Sequence, residues 1–271
     1  MSTETSVRAS QTDAGGRSRT RRRDRLRALG RAEMILLIRN RTAVFTSLLM
    51  PLGFVLLMRT SAGSATENSA LGANSLVMTG GIGIVLILVI YVNLVAAFVT
   101  RREELVLKRL RTGEASDAEI LAGTAMPSAA LALAQCVLLI LAGTLALDID
   151  LPQQPVLLLL GLLLGTVTLT ALAAATTAIT RTTESAQITS MPLMMLTFFG
   201  SGLLIPLDVL PDTVATVCEL LPVTPVMDLI RYGWLGESSG AEPLTALALA
   251  PAWTALSVLA VRRWFRWEPR S

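Results

Sequence analysis

Histidine is missing from all 271 residues, and lysine occurs once, at Lys108. The first absence removes the commonest general base and the commonest neutral metal ligand. The second excludes a nucleotide-binding P-loop, because Lys108 follows Leu107 and not a GxxxxG run. Charged residues make up only 16% of the chain and aromatic ones 4%, while hydrophobic residues reach 52% with a mean hydropathy of +0.61. That much apolar surface cannot be hidden in one soluble core and belongs in a bilayer. The two cysteines, Cys136 within an apolar run and Cys218 between the last two runs, lie at different expected depths and read as packing residues.

Six apolar runs are present: Thr42 to Met58, Leu76 to Val99, Thr124 to Leu147, Val156 to Ile179, Ile188 to Ile205 and Leu244 to Val261. At about 1.5 Å per residue, runs of this length reach across a hydrocarbon layer of about 30 Å. Basic residues test the assignment independently, since translocated loops are poor in them. With both termini inside, 21 of the 23 Lys and Arg residues fall on the cytosolic side, and only Arg59 and Arg231 fall outside. The expectation is an all-α, multi-pass membrane protein with six transmembrane helices and both termini cytosolic. The first forty residues lack the short apolar core and small-residue site of a cleavable signal peptide, so the first span is expected to act as its own insertion signal.

Residues 1–23 read as a disordered basic cytosolic tail, residues 24–266 as the membrane domain, and residues 267–271 as a short cytosolic tail. Within the domain, Leu26, Leu29, Leu36 and Leu37 recur among arginines, as on a helix lying in the membrane interface. Positive-inside anchoring beside anionic lipid accounts for this arginine run without a nucleic-acid partner.

The coupling segment 101–123 is a block of mixed charge set between two apolar runs. Arg101, Glu104, Lys108 and Arg111 follow steps of three, four and three, with Leu107 and Leu110 on another face, so a short amphipathic helix is predicted from Arg101 onward. Thr112 and Gly113 end it, and Ser116 with Glu119 forms a capping box for the next helix. An ordinary solvated loop is the plainer alternative. The external segment 206–243 is apolar for a loop. Val214, Val217, Leu220 and Leu221 between Pro211 and Pro222 predict a short re-entrant helix, and Asp228 and Arg231 are spaced to pair.

The spans themselves contain no Asp, Glu, Lys or Arg in these boundaries, which disfavours an ion-coupled mechanism. Their polar residues, among them Thr79, Asn93, Gln135 and the threonines of the fourth run, suit helix-to-helix hydrogen bonds. Met191, Pro192, Met194, Met195, Phe198 and Phe199 make a soft wall in the fifth run, which core packing and an adaptable apolar ligand surface explain equally well.

Two segments carry a family resemblance. EELVLKRLRTGEAS with AEILAG is similar to the E-x-G-T-L-K-R-L-R-x-T-P-x-S pattern of type-2 ABC exporter permeases, the membrane subunits of actinobacterial drug and natural-product exporters. GLLIPLDVLPDTVATVCELLPVTPVMDLIR resembles that family's G-x-x-x-P-x-x-x-L-P segment before the last span. Leu105 and Val106 stand where the family often has Gly-Thr, and Glu114 where it often has Pro.

The resemblance implies a permease in a bacterial plasma membrane, paired with a second copy or close relative and resting on a separate ABC ATP-binding subunit. No cofactor is expected on this chain, ATP and magnesium being held by that subunit. By resemblance, Glu103, Glu104, Lys108, Arg109, Leu110 and Arg111 meet the ATPase, and the second and fifth spans line the transport path, with Asn93, Met194, Phe198 and Phe199 beside the cargo. A membrane-embedded enzyme or assembly factor is the competing class, and would need a catalytic cluster at the membrane face. A simple channel would have no use for the mixed-charge block.

The topology has a direct check. A Ser239→Cys variant should react with an impermeant thiol reagent in intact cells and a Gly113→Cys variant should not; the reverse pattern would invert the chain.

Overall fold

The computed structural model describes residues 35, 53, 73–106, 116–146, 149–203, 207, 210–236 and 243–265. Nearly all of the expected first span and of the interfacial helix, and Lys108, Arg109, Leu110 and Arg111, lie outside the described residues. Among those described, all regular structure is helical: α1 (Ala73–Val85), a π-helical segment (Leu86–Val92), α2 (Asn93–Glu103), α3 (Asp117–Ala146), α4 (Pro155–Thr177), α5 (Thr183–Gly200), α6 (Asp212–Glu219), α7 (Thr224–Leu235) and α8 (Pro243–Trp264).

Four stretches are long and apolar enough to cross a membrane: Val77–Glu103, Asp117–Leu145, Pro155–Thr177 and Pro243–Arg263. The pair α6 and α7, bent by 93°, would make a fifth as one broken span. Helix α5 has 18 residues but is not among the four, because Glu184, Ser185, Gln187, Thr189 and Ser190 crowd its first half. It starts five residues earlier than the predicted fifth run, and its helix ends at Gly200.

Helix α4 is the hub. It packs against α7 and α8 most extensively, and also meets the π segment, α2, α3 and α5. Its contact with α7 is made by glycine. A Cβ on Gly233 would lie 2.4 Å from the backbone nitrogen of Leu158, one on Gly161 2.9 Å from Ile230 Cγ1, and one on Gly165 2.8 Å from Val226 Cγ1. Small residues spaced four apart let two backbones approach, which gives helices in lipid their packing contact. Every residue from Thr224 to Trp234 is buried as a result. The loop before α4 adds two bonds to the end of α7, Gln153 N to Trp234 O at 3.2 Å and Gln154 N to Gly233 O at 2.9 Å. Helix α7 ends on Gly236, whose φ of 73° is the left-handed cap that glycine adopts without a Cβ penalty.

Hydroxyls cross-link the bundle. Thr176 already donates to Leu172 O, so the 3.1 Å contact between Tyr91 and Thr176 has Tyr91 as donor. Likewise Thr254 donates to Ala250 O, and Thr168 therefore donates to Thr254 across 2.7 Å. These are the interhelical bonds expected of the threonine-rich fourth run. Both cysteine sulfurs are free and buried.

The second apolar run is one long helix with a π-helical interruption. The Asn93 N–H reaches back five residues to Leu88 O, the signature of π winding. The segment turns Asn93 outward while Leu86, Ile87, Val89, Ile90 and Tyr91 stay buried.

Candidate functional site

The charged end of the bundle is built around Arg102. It is 1% exposed and sits in the last turn of α2. Its guanidinium donates to Thr177 O at 2.7 Å, Thr180 O at 2.6 Å and Arg181 O at 3.4 Å. Those carbonyls belong to the last turn of α4 and the residues just beyond it, where acceptors lack intrahelical partners and the helix dipole is negative. A fixed cation fits both needs, and charge-assisted bonds are stronger than neutral ones.

Glu103 points to the same junction. Its carboxylate accepts from Thr183 N at 3.2 Å and Thr183 Oγ1 at 3.1 Å. Thr183 is the first residue of α5, so the carboxylate of one helix caps the positive end of another. Thr182 and Ser185 complete a reciprocal capping box at the same terminus. Arg102 and Glu103, adjacent in sequence, thus hold the end of α4 and the start of α5 together.

The predicted amphipathic helix does not begin at Arg101. Helix α2 stops at Glu103, Glu104 caps it, and Leu105 adopts φ 58°. A left-handed residue ends an α-helix, so Arg101 and Glu104 cannot share a continuous face with residues further on. Leu105 occupies the position where type-2 permeases often carry glycine, the residue that takes this conformation freely. The capping box further along is present, with Ser116 N donating to Glu119 Oε2 at 2.8 Å and Glu119 N to Ser116 Oγ at 3.4 Å.

The soft wall of α5 divides in two. Met194 and Phe198 pack half-buried against the core, whereas Met191, Met195 and Phe199 are 49%, 41% and 51% exposed. With Ile188 they form one outward stripe at helical spacing. Asn93 is also exposed, on α2, and α2 packs beside α5. The sequence-predicted path residues therefore lie on neighbouring helices, with Asn93 and Phe199 outward and Met194 and Phe198 behind.

Buried charge is also present in α7. Arg231 Nη1 lies 2.8 Å from Asp228 Oδ1, with both side chains nearly fully buried. The pairing expected of Asp228 and Arg231 is thus present, within a helix packed on every side. Each charge is matched: Arg231 Nη2 also donates to Ser201 O, and Gly202, at φ 66°, leaves room where a Cβ would sit 2.5 Å from that nitrogen. Thr224 donates to Cys218 O at 2.6 Å and accepts from Ser201 Oγ at 3.0 Å, so the node ties the end of α5 to the start of α7. Such matching makes the pair structural. Among the described residues no cluster of His, Cys, Asp or Glu could hold a metal ion.

Residues 34–261, most of the chain and all of this bundle but the last turn of α8, match the family model described as ABC-2 family transporter protein. The chain belongs to the ABC-2 transporter family. Membership makes it a membrane permease that works with an ABC ATP-binding subunit, not a catalyst itself. No curated protein matches the chain. In this ABC-2 permease, Arg102 is the site residue that sequence reading passed over. Positive-inside counting treats every arginine alike, and the acceptors of Arg102 lie about 75 positions further along the chain.

Arg102→Met should lower unfolding stability by about 2 to 4 kcal/mol, since at least two carbonyls lose a charged donor. Arg263→Met, on an exposed arginine, should change it little. Thermal unfolding of the detergent-purified variants compares the two.

Proposed function

We propose that the chain is one half of an ATP-driven exporter that moves an apolar or amphiphilic compound outward across a bacterial plasma membrane, with both termini cytosolic. The family match over residues 34–261 carries the transporter class. The exporter reading adds the actinobacterial drug and natural-product resemblance of the coupling and external segments. Two copies, or this chain and a close relative, pair and rest on two ATP-binding subunits that hold ATP and magnesium. The contact is made by Glu103, Glu104, Lys108, Arg109, Leu110 and Arg111. The pair α6 and α7 is a re-entrant external hairpin.

In this reading a push on the coupling segment is delivered at Glu104 and Leu105 and reaches the bundle through the Arg102 and Glu103 contacts with the α4–α5 junction. Helix α5 carries the outward stripe of Met191, Met195 and Phe199, and the adjoining α2 offers Asn93 as one polar contact. A path formed between two subunits along these faces needs no charged relay of its own. Met194 and Phe198 support it from the core side, and thioether and aromatic surfaces adapt to several apolar shapes.

Charge reversal at Lys108, Arg109 and Arg111 should leave the protein in the membrane, because 18 of the 21 inward basic residues remain. It should abolish co-purification with the ATP-binding subunit, through loss of contacts worth about 1.5 to 3 kcal/mol each. Unchanged binding together with unchanged transport would show the block to be a solvated loop.

The two faces of α5 separate in a second experiment. Phe199→Ala should change which compounds stimulate the partner ATPase while leaving abundance near normal. Phe198→Ala should chiefly lower stability, by about 2 to 4 kcal/mol for a half-buried aromatic. Equal effects of Phe199→Ala on every compound would place the path elsewhere.

A further inference from the structure

A trough of about 510 Å³ opens at the charged end between α3, α4 and α8. One wall is a row of alanines, Ala118, Ala122, Ala125 and Ala129, at steps of four, three and four along α3. Ala171 and Ala174 of α4 form the floor, and Val258 and Val261 of α8 the opposite wall. The mouth carries Asp117 and the exposed Arg262.

Three observations together indicate what fills it. From Asp117 to Ala129 the helix advances about 18 Å at about 1.5 Å per residue, close to half of the roughly 30 Å hydrocarbon layer. The trough is therefore about one leaflet long. Its walls, α3 and α8, belong to the two least enclosed of the four long apolar stretches. It consequently lies on a side of the bundle that faces lipid. Of the two hydroxyls on its lining, that of Thr166 is already committed to Leu162 O at 2.7 Å, which leaves Thr170 among otherwise apolar side chains in the interior.

We propose that this trough holds an acyl chain of an anionic phospholipid from the leaflet at the charged end, with the lipid phosphate at Arg262. Methylenes match alanine and valine walls, and the guanidinium gives the phosphate a planar, charge-assisted partner. Phosphatidylglycerol, whose headgroup carries a single phosphate charge, is the simplest lipid of this kind. The site is separate from the α2 and α5 faces and requires only that α3, α4 and α8 cross a bilayer, so it stands or falls apart from the export reading.

The test is native mass spectrometry of the full chain released from vesicles of equal parts phosphatidylglycerol and phosphatidylcholine, without ATP or partner. One phosphatidylglycerol should survive washing that strips loosely bound lipid. Arg262→Gln should lower the retained phosphatidylglycerol-to-phosphatidylcholine ratio about fivefold. Ala122→Leu and Ala129→Leu fill the trough from its outer wall and should remove the retained lipid of either kind, with detergent-state melting unchanged; Ala118→Leu tests the same wall if either fails to fold. Wild-type protein that retains no lipid, or filling variants that retain it fully, would overturn the proposal. So would a change of oligomeric state in those variants in place of lipid loss, which would make the trough a contact between copies. A drop in the lipid ratio just as large in Arg263→Gln would reduce the headgroup effect to general surface charge and overturn the assignment of the phosphate to Arg262.

Discussion

Helix α7 can be buried on every side only because glycines allow its backbone to touch that of α4. Gly161 meets the backbone of Ile230 and Gly233 that of Leu158, while Gly165 makes room for Val226. In lipid there is little hydrophobic gain from bringing two apolar helices together, so close contact and interhelical hydrogen bonds must supply the association. The rest of the arrangement follows from that crossing. It sets α4 at the centre, and it draws the buried Asp228 and Arg231 to the backbone of Ser201, fixing the C-terminal end of α5.

The opposite end of α5 is fixed by charge. Arg102 gathers the unsatisfied carbonyls where α4 finishes, and Glu103 meets the amide where α5 begins. The two side chains serve complementary ends of two helix dipoles from consecutive positions on a third helix. Helix α5 is thus held at both termini while Met191, Met195 and Phe199 face outward along it, so a displacement imposed at one end has a defined route along the helix.

Much of this was legible in the sequence where local rules govern. The Ser116 and Glu119 box, the short helix between Pro211 and Pro222 and the Asp228–Arg231 spacing all rest on contacts three or four residues apart, and the structure contains all three. What local spacing could not show was long-range. The Gly161 and Gly165 pair hides in a leucine-rich run whose composition dominates any hydropathy reading, although its four-residue spacing was a usable signal. Arg102 resembled its neighbours until α4 supplied its acceptors. The α5 wall was recognised as a set, but which members faced outward depended on where α2 and the core lay.

The π winding from Leu86 to Val92 has a consequence for any comparison of this helix with another. A wheel drawn at about 100° per residue holds for α1 and again for α2, but not through the segment between them. The glycines at Gly80 and Gly83, which meet Leu203 and Met227, and the exposed Asn93 therefore belong to two separate phases of one rod. Relatives that differ here by a single inserted or deleted residue could keep both phases intact, so alignment gaps within these seven positions carry a different meaning from gaps anywhere else along the helix.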